Sequence, residues 1–217
     1  MQVLIFGSTG MVGQGVLREC LLDSSVTKVT LVGRSTLGIQ DAKLNEVTPA
    51  KNDLSDVENQ LMGYDACFYC IGVTSSNVPE SEYTRITHDL TLTAATTLAR
   101  LNPQMVFVFI SGAGADTSEK GMIMWARVKG KTENDLFKLP FKGVYALRPA
   151  IVQPMHGAKS RTRAYRIGYM IAAPVLPLLR KLFPKYVTTT EQIGKKAIQL
   201  AGLGGEGRVL ENLEINS

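Results

Sequence analysis

Apolar residues in this chain gather in short unbroken runs, and between the runs they recur at helical spacing. Residues 3–6, 66–71, 106–110 (Val-Phe-Val-Phe-Ile) and 143–147 are apolar at almost every position, 28–32 (Lys-Val-Thr-Leu-Val) is apolar at three of its five, and a weaker run covers 43–47. Unbroken rather than alternating hydrophobicity marks strands covered on both faces, and so a parallel sheet with helices on each side. The helical stretches begin with Met11, Val12, Val16 and Leu17, and a short helix reaches about Leu61. A long helix over 80–100 carries a stripe at Ile86, Leu90, Ala94, Thr97 and Leu98 and stops before Asn102-Pro103. Another helix is expected over 120–138. Thr188 and Glu191 have the spacing of a capping box for a last helix to Ala201, ended by Gly202, Gly204 and Gly205. Residues 208–212 add a final short strand.

The first strand runs straight into Gly7, and glycines recur at Gly10 and Gly13 as the first helix begins. Gly7 lets the chain turn sharply, Gly10 lets backbone amides approach a pyrophosphate, and Gly13 lets helix and strand pack closely. The helix N-terminus adds unpaired donors and a positive dipole end, with Thr9, Met11 and Val12 in the same turn. Strand, glycine turn and helix in this order predict an α/β doubly wound parallel sheet of the Rossmann type, strand order 3-2-1-4-5-6. The chain reads as a single domain over 1–217, with 153–217 a small helical segment that covers the substrate side. No Asp or Glu lies between Lys28 and Gln40 to hold a ribose 2′-hydroxyl, whereas Arg34 and Ser35 suit a 2′-phosphate. NADP(H) is therefore expected over NAD(H). The fourth strand leads to Ile71 and Gly72 at the edge where ligands collect, and Gly72 leaves room for a cofactor to pass.

The chain has 217 residues and a net charge of +5, enough to favour anionic ligands and too mild to imply nucleic acid. Three cysteines are too few for a secreted disulfide framework, and strand residues directly after Met1 leave no room for a signal peptide, so a cytoplasmic location is expected. Cys67 and Cys70 lie three apart on a strand, so they point to opposite faces and read as buried thiols. His88 and His156 lack paired ligands, and no metal is expected. Lys159, Arg161, Arg163 and Arg166 precede an apolar run over 167–179 that Pro174 and Pro177 interrupt, which is too short for a membrane span. Residues 159–185 then form either a helix folded over the site or a peripheral membrane or protein contact flanked by Arg180, Lys181 and Lys185.

The glycine spacing, strand four's Cys-Ile-Gly-Val-Thr, the Ser111-Gly112-Ala113-Gly114-Ala115-Asp116 loop, Lys129 and Leu147-Arg148-Pro149-Ala150-Ile151-Val152 together resemble the atypical short-chain dehydrogenase/reductases. Within that superfamily the chain is similar to the Tat-interacting-protein branch and to NAD-dependent epimerase/dehydratase-like proteins over roughly residues 2–152. The resemblance implies that Asp53 and Leu54 lie beside the adenine, although Asp53 serves equally well as a helix cap. It also implies that Pro149 and Ile151 belong to a segment that meets the nicotinamide through its backbone. The superfamily places a tyrosine four residues before its lysine, so that both lie on one helical face. Here Trp125 stands in that place before Lys129. Lys129 would hold the ribose and Ser111 would orient a substrate oxygen, but an indole N–H donates a hydrogen bond without useful acidity. Tyr165, Tyr169 or a water would have to supply the proton. Two functions follow: an NADP(H)-dependent oxidoreductase on a carbonyl or alcohol whose identity the sequence does not give, or a non-catalytic NADP(H) sensor.

Overall fold

The computed structural model describes residues 1–160, 168, 176–203 and 208–217. Arg161, Arg163, Tyr165, Arg166, Ile167, Tyr169, Pro174, Gly204 and Gly205 lie outside the described residues.

Seven parallel strands form the central sheet. In chain order they are β1 (Gln2–Phe6), β2 (Lys28–Val32), β3 (Leu44–Val47), β4 (Ala66–Tyr69), β5 (Val106–Ile110), β6 (Gly143–Arg148) and, last, β9 (Val209–Glu211). Their spatial order is β3-β2-β1-β4-β5-β6-β9, with every neighbouring pair parallel. This is the expected doubly wound sheet with a seventh strand at its edge. Among the described residues the helices are α1 (Met11–Leu22), α2 (Glu80–Thr84), α3 (Leu90–Leu101), α4 (Met124–Leu136), α5 (Leu176–Leu182), α6 (Thr190–Leu203) and α7 (Asn212–Ile215).

The unbroken apolar runs are explained by burial on both faces. Along β1, Val3 and Ile5 join one core with Val16, Leu17 and Cys20 of α1 and Ile193 and Ala197 of α6. Leu4 and Phe6 join the other, with Ala95 and Leu98 of α3 and Leu136 of α4. β5 divides the same way, Val106 and Val108 to the first core and Phe107 and Phe109 to the second. On the second face the rings of Phe6 and Tyr69 stack at 5.3 Å and those of Tyr69 and Phe107 at 5.8 Å. Cys67 and Cys70 fall to opposite cores, as their spacing requires. Burial raises both thiols, Cys70 to about 12, so neither is a ready nucleophile.

α1 and α6 cross where two glycines meet. A Cβ on Gly15 would lie 2.5 Å from the Thr190 Cβ, and one on Gly194 would lie 2.7 Å from the Glu19 Cγ. Of residues 153–217, α6 and β9 therefore complete the core instead of covering a substrate. Between them and β6 the chain makes a second, two-stranded sheet from β7 (Ile151–Gln153) and β8 (Val187–Thr189), which the sequence reading did not foresee.

Three boundaries differ from expectation. The helix expected over 120–138 begins only at Met124, because the Asp116 carboxylate accepts the amides of Ser118 and Gly121 and holds that stretch in a turn. The last helix is capped one residue later than expected: Thr188 belongs to β8, and the Gln192 amide donates to Thr189 Oγ1 at 3.0 Å. The long helix over 80–100 contains a π-helical turn, Arg85–Asp89, between α2 and α3.

Candidate active site

The glycine turn leaves β1 at Gly7, whose φ of +78° belongs to the left-handed region. A Cβ there would lie 2.7 Å from the Cys70 carbonyl carbon, and one on Gly13 would lie 2.2 Å from the Gly7 oxygen. The Gly10 amide donates to the Gly7 oxygen at 3.0 Å, and Gly10 caps α1 without any side-chain bond to its first amides. Met11, Val12 and Gly13 thus begin a helix whose leading N–H groups have no intrahelical partner. Thr9 lies in the turn, its carbonyl accepting from Gln14 Nε2 at 3.0 Å. Gln14 also holds the backbone of Lys159, at 3.2 and 3.1 Å, and so anchors the start of the basic segment beside the turn. Ile71 is half-buried, and a Cβ on Gly72 would meet nothing within 4 Å.

Arg34 and Ser35 are exposed just beyond β2. Glu46 of β3 faces the same loop, but its carboxylate already accepts the Leu37 amide at 2.6 Å. Asp53 is exposed, and its carboxylate accepts the Ser55 amide at 3.1 Å, which holds its pKa below the usual carboxylate value. It caps that turn, not the 3-10 turn Glu58–Gln60 further on. Leu54 is buried in the second core with a φ of +63°.

The other half of the site is the face of α4 that meets the loop after β5. The helix comes close because position 130 is glycine; a Cβ there would lie 1.8 Å from the Asp116 oxygen. Trp125 is half-buried, with its ring against Gly114. One turn on, the Lys129 stem passes Gly112, its ammonium donates to the Ile110 carbonyl at 3.5 Å, and it lies 5.5 Å from the Phe109 ring centre. Burial pulls the Lys129 pKa down to about 8, while the nearby Glu133 opposes the shift.

Glu133 and Arg148 were not singled out by the sequence reading as site residues. Glu133 is fully buried. Arg148 grips it with Nε to Oε1 at 3.0 Å and Nη2 to Oε2 at 2.5 Å, and reaches Glu211 with Nη1 at 3.1 Å. Ser111 Oγ lies 2.5 Å from Glu133 Oε1. A carboxylate paired with a guanidinium only accepts, so the Ser111 hydroxyl is the donor. That leaves Ser111 with lone pairs to offer. It can take a hydrogen bond from a hydroxyl or ammonium, and it has no proton left for a carbonyl. The signal in the sequence was the spacing: Glu133 follows Lys129 by the same four residues that separate Lys129 from Trp125.

Pro149 is buried, and its carbonyl accepts the Ala113 amide at 3.0 Å, tying the segment after β6 to the loop after β5. Ile151 is exposed on β7, opposite Val187. Its amide donates to the Tyr186 carbonyl at 3.0 Å, and Leu178, Leu182, Phe183 and Tyr186 are also exposed. Among the described residues no cluster of His, Cys, Asp or Glu could hold a metal ion, and no helix is long and apolar enough to cross a membrane.

No family model matches the chain. Protein HTATIP2 of Rattus norvegicus is 29% identical over 153 residues, which span 69% of this chain and 62% of that protein, less than two thirds of its length. The mitochondrial protein FMP52 of Eremothecium gossypii is 26% identical over 225 residues, covering 100% of this chain and 96% of that one. Among solved structures, MoeE5 in complex with UDP-glucose and NAD superposes with a TM-score of 0.68 at 16% identity, over 97% of this chain and 76% of its own. A short-chain dehydrogenase family protein from Francisella tularensis superposes with a TM-score of 0.64 at 15% identity, over 100% of this chain and 99% of its own. The cytoplasmic location expected from the sequence is corrected by these relatives, since the FMP52 proteins are named mitochondrial. A strand near residue 1 does not fix a compartment, because targeting information need not reside in a leader that precedes the fold. By sequence the chain is similar to HTATIP2 and the FMP52 proteins, and by fold it shares the Rossmann core of MoeE5 and of the Francisella tularensis short-chain dehydrogenase family protein.

Proposed function

We propose that the chain is an NADP(H)-dependent oxidoreductase acting on a carbonyl or alcohol. The observation that carries this reading is the half-buried Lys129, one helical turn after Trp125 and against the loop at the C-terminal end of β5. That edge of a doubly wound sheet is where ligands bind. The glycine turn and the leading amides of α1, from Thr9 to Gly13, would take the pyrophosphate. Arg34 and Ser35 would meet a 2′-phosphate, and Asp53 and Leu54 would flank the adenine. Ile71 and Gly72 would border the cofactor's path, with Pro149 and Ile151 beyond it. NAD in several neighbouring structures supports a nicotinamide dinucleotide, and exposed Arg34 with no carboxylate between Lys28 and Gln40 supports the phosphorylated form.

When bound, the nicotinamide supplies or accepts the hydride. Lys129 would donate hydrogen bonds to the ribose, and the Trp125 N–H would polarise a substrate oxygen without protonating it. Ser111 accepts from a hydroxyl. The exposed Leu178, Leu182 and Phe183, beside Lys181 and Lys185, support residues 159–185 as a cover or a contact surface.

The test is titration of NADPH and NADH into wild type and Lys129→Ala, followed by a panel of aldehydes and ketones. NADPH should bind wild type in preference to NADH, and Lys129→Ala should weaken binding with the fold intact, since alanine suits a helix. An unchanged dissociation constant would remove Lys129 from the site. A second reading, a non-catalytic NADP(H) sensor, is favoured by one observation, the indole where the superfamily keeps an ionisable hydroxyl. Binding without turnover across the panel would select it.

A further inference from the structure

We infer that Glu133 is the positioning residue of this site, orienting the Ser111 hydroxyl and facing Lys129 with the negative charge that balances it. The inference rests on the reading of Lys129 as the ribose-holding residue.

Trp125, Lys129 and Glu133 stand four residues apart, one above another on a single face of α4. Glu133 is at the buried end of that column, with no exposed surface. A carboxylate withdrawn from water is strongly unfavourable unless its oxygens are satisfied. Here three hydrogen bonds from two other elements do so, two from Arg148 at the end of β6 and one from Ser111 just after β5. The spare Arg148 nitrogen reaches Glu211 of β9, so the network ties α4 to three neighbouring strands.

An apolar pair of similar volume would pack this space about as well as a buried ion pair. It could not do two things that Glu133 does. It could not take the Ser111 proton and so turn the serine lone pairs outward, toward a ligand hydroxyl or an ammonium. Nor could it present a charge to Lys129. The charged groups near that ammonium are Glu133 on its own helix and, behind Glu133, Arg148 from β6. From β5 it meets the Phe109 ring and the Ile110 carbonyl, and from the following loop its stem meets Gly112. Burial pushes Lys129 toward the neutral amine, and Glu133 holds it toward the ammonium. The ammonium is the stronger donor to ribose hydroxyls.

The experiment follows the titration of Lys129 itself, by pH-dependent acetylation of the cofactor-free full chain read by peptide mass spectrometry. NADPH affinity is measured in parallel from about pH 6 to about pH 10. Wild type is compared with Glu133→Gln and with the double variant Glu133→Met, Arg148→Met. The double variant leaves no unpaired charge in the core, so it carries the measurement if Glu133→Gln fails to fold. In wild type the Lys129 midpoint should lie at about 8. In Glu133→Gln it should move down by roughly one unit, and by less in the double variant, which removes the Arg148 charge as well; NADPH affinity should fall at correspondingly lower pH. A midpoint unchanged in a folded variant would reduce Glu133 to a packing residue and overturn the inference. If wild type binds no NADPH, the cofactor reading fails alone, because the Lys129 midpoint still decides the role of Glu133.

Discussion

The two halves of the site are built from different materials. The glycine turn is made of backbone: at Gly7 and Gly13 the space for a Cβ is already filled by other main-chain atoms. The α4 face is made of side chains, with an indole, an ammonium and a buried carboxylate stacked along one helix. A backbone site tolerates no added atom, and its failure is abrupt. A side-chain site can be graded, because exchanging one group changes a charge or a proton while the helix stays in place.

The largest effect should come from adding one methyl to the backbone half. Gly13→Ala places a Cβ 2.2 Å from the Gly7 oxygen, so α1 must move away from β1. The change should cost roughly 2–4 kcal/mol and abolish NADPH binding, as read by urea denaturation and cofactor titration. Gly72→Ala is the control, because its Cβ would meet no protein atom within 4 Å. Its stability should match wild type while NADPH binding weakens. If Gly13→Ala kept both stability and binding, the contrast between the halves would break.

Next in size is Trp125→Tyr. It puts an ionisable hydroxyl one turn before Lys129, whose charge would lower the phenol's pKa. Carbonyl reduction should rise by roughly tenfold or more, a fraction of the ~10²–10⁴ that general acid catalysis typically contributes. Reduction that stays at background in a folded, NADPH-binding variant would favour the sensor. Arg34→Ala should act on a comparable scale, on affinity instead of rate. Loss of a charged hydrogen bond to the 2′-phosphate is worth roughly 1.5–3 kcal/mol, so NADPH affinity should fall about tenfold or more while NADH affinity holds. Equal losses for both cofactors would move Arg34 away from the 2′-position.

The sequence made these halves unequally legible. Gly7, Gly10 and Gly13 could be read because the backbone demands glycine there and a buried strand precedes them. The parallel sheet followed from apolar runs that have to be covered twice, and its strand order from the strand, glycine turn and helix at the start of the chain. Glu133 was hidden within Lys131-Thr132-Glu133-Asn134-Asp135, a polar run that reads as a solvated helix face, and its partner Arg148 is 15 residues away. Only tertiary packing brings them together. Gly15 and Gly194 were hidden for a similar reason, since each looks locally like a weak helix residue and their meaning is the crossing of α1 and α6. The β7 and β8 strands are three residues each, too short for any periodicity to show.

The smallest predicted effect separates the use of Lys129 from its effect on stability. Its pKa in the fold, about 8, lies below the ordinary value of 10.5, because burial disfavours the ammonium. Below about pH 8 the lysine is charged both folded and unfolded, and the burial penalty is fully present. Between these two values the unfolded chain binds more protons than the fold, so this group's contribution to stability rises with pH. Above 10.5 the amine is neutral in both states and the penalty is gone. Lys129→Met removes the charge and keeps much of the stem volume. It should raise the Tm at neutral pH by roughly 2–4 °C, about 1 kcal/mol for a chain of this size, and the gain should shrink as the pH approaches 10. NADPH binding should weaken in the same variant. A Tm that falls at neutral pH would mean that the Ile110 carbonyl and the Glu133 charge already offset the burial of the ammonium. The α4 face would then be as settled as the glycine turn, with no stability sacrificed to keep the lysine there.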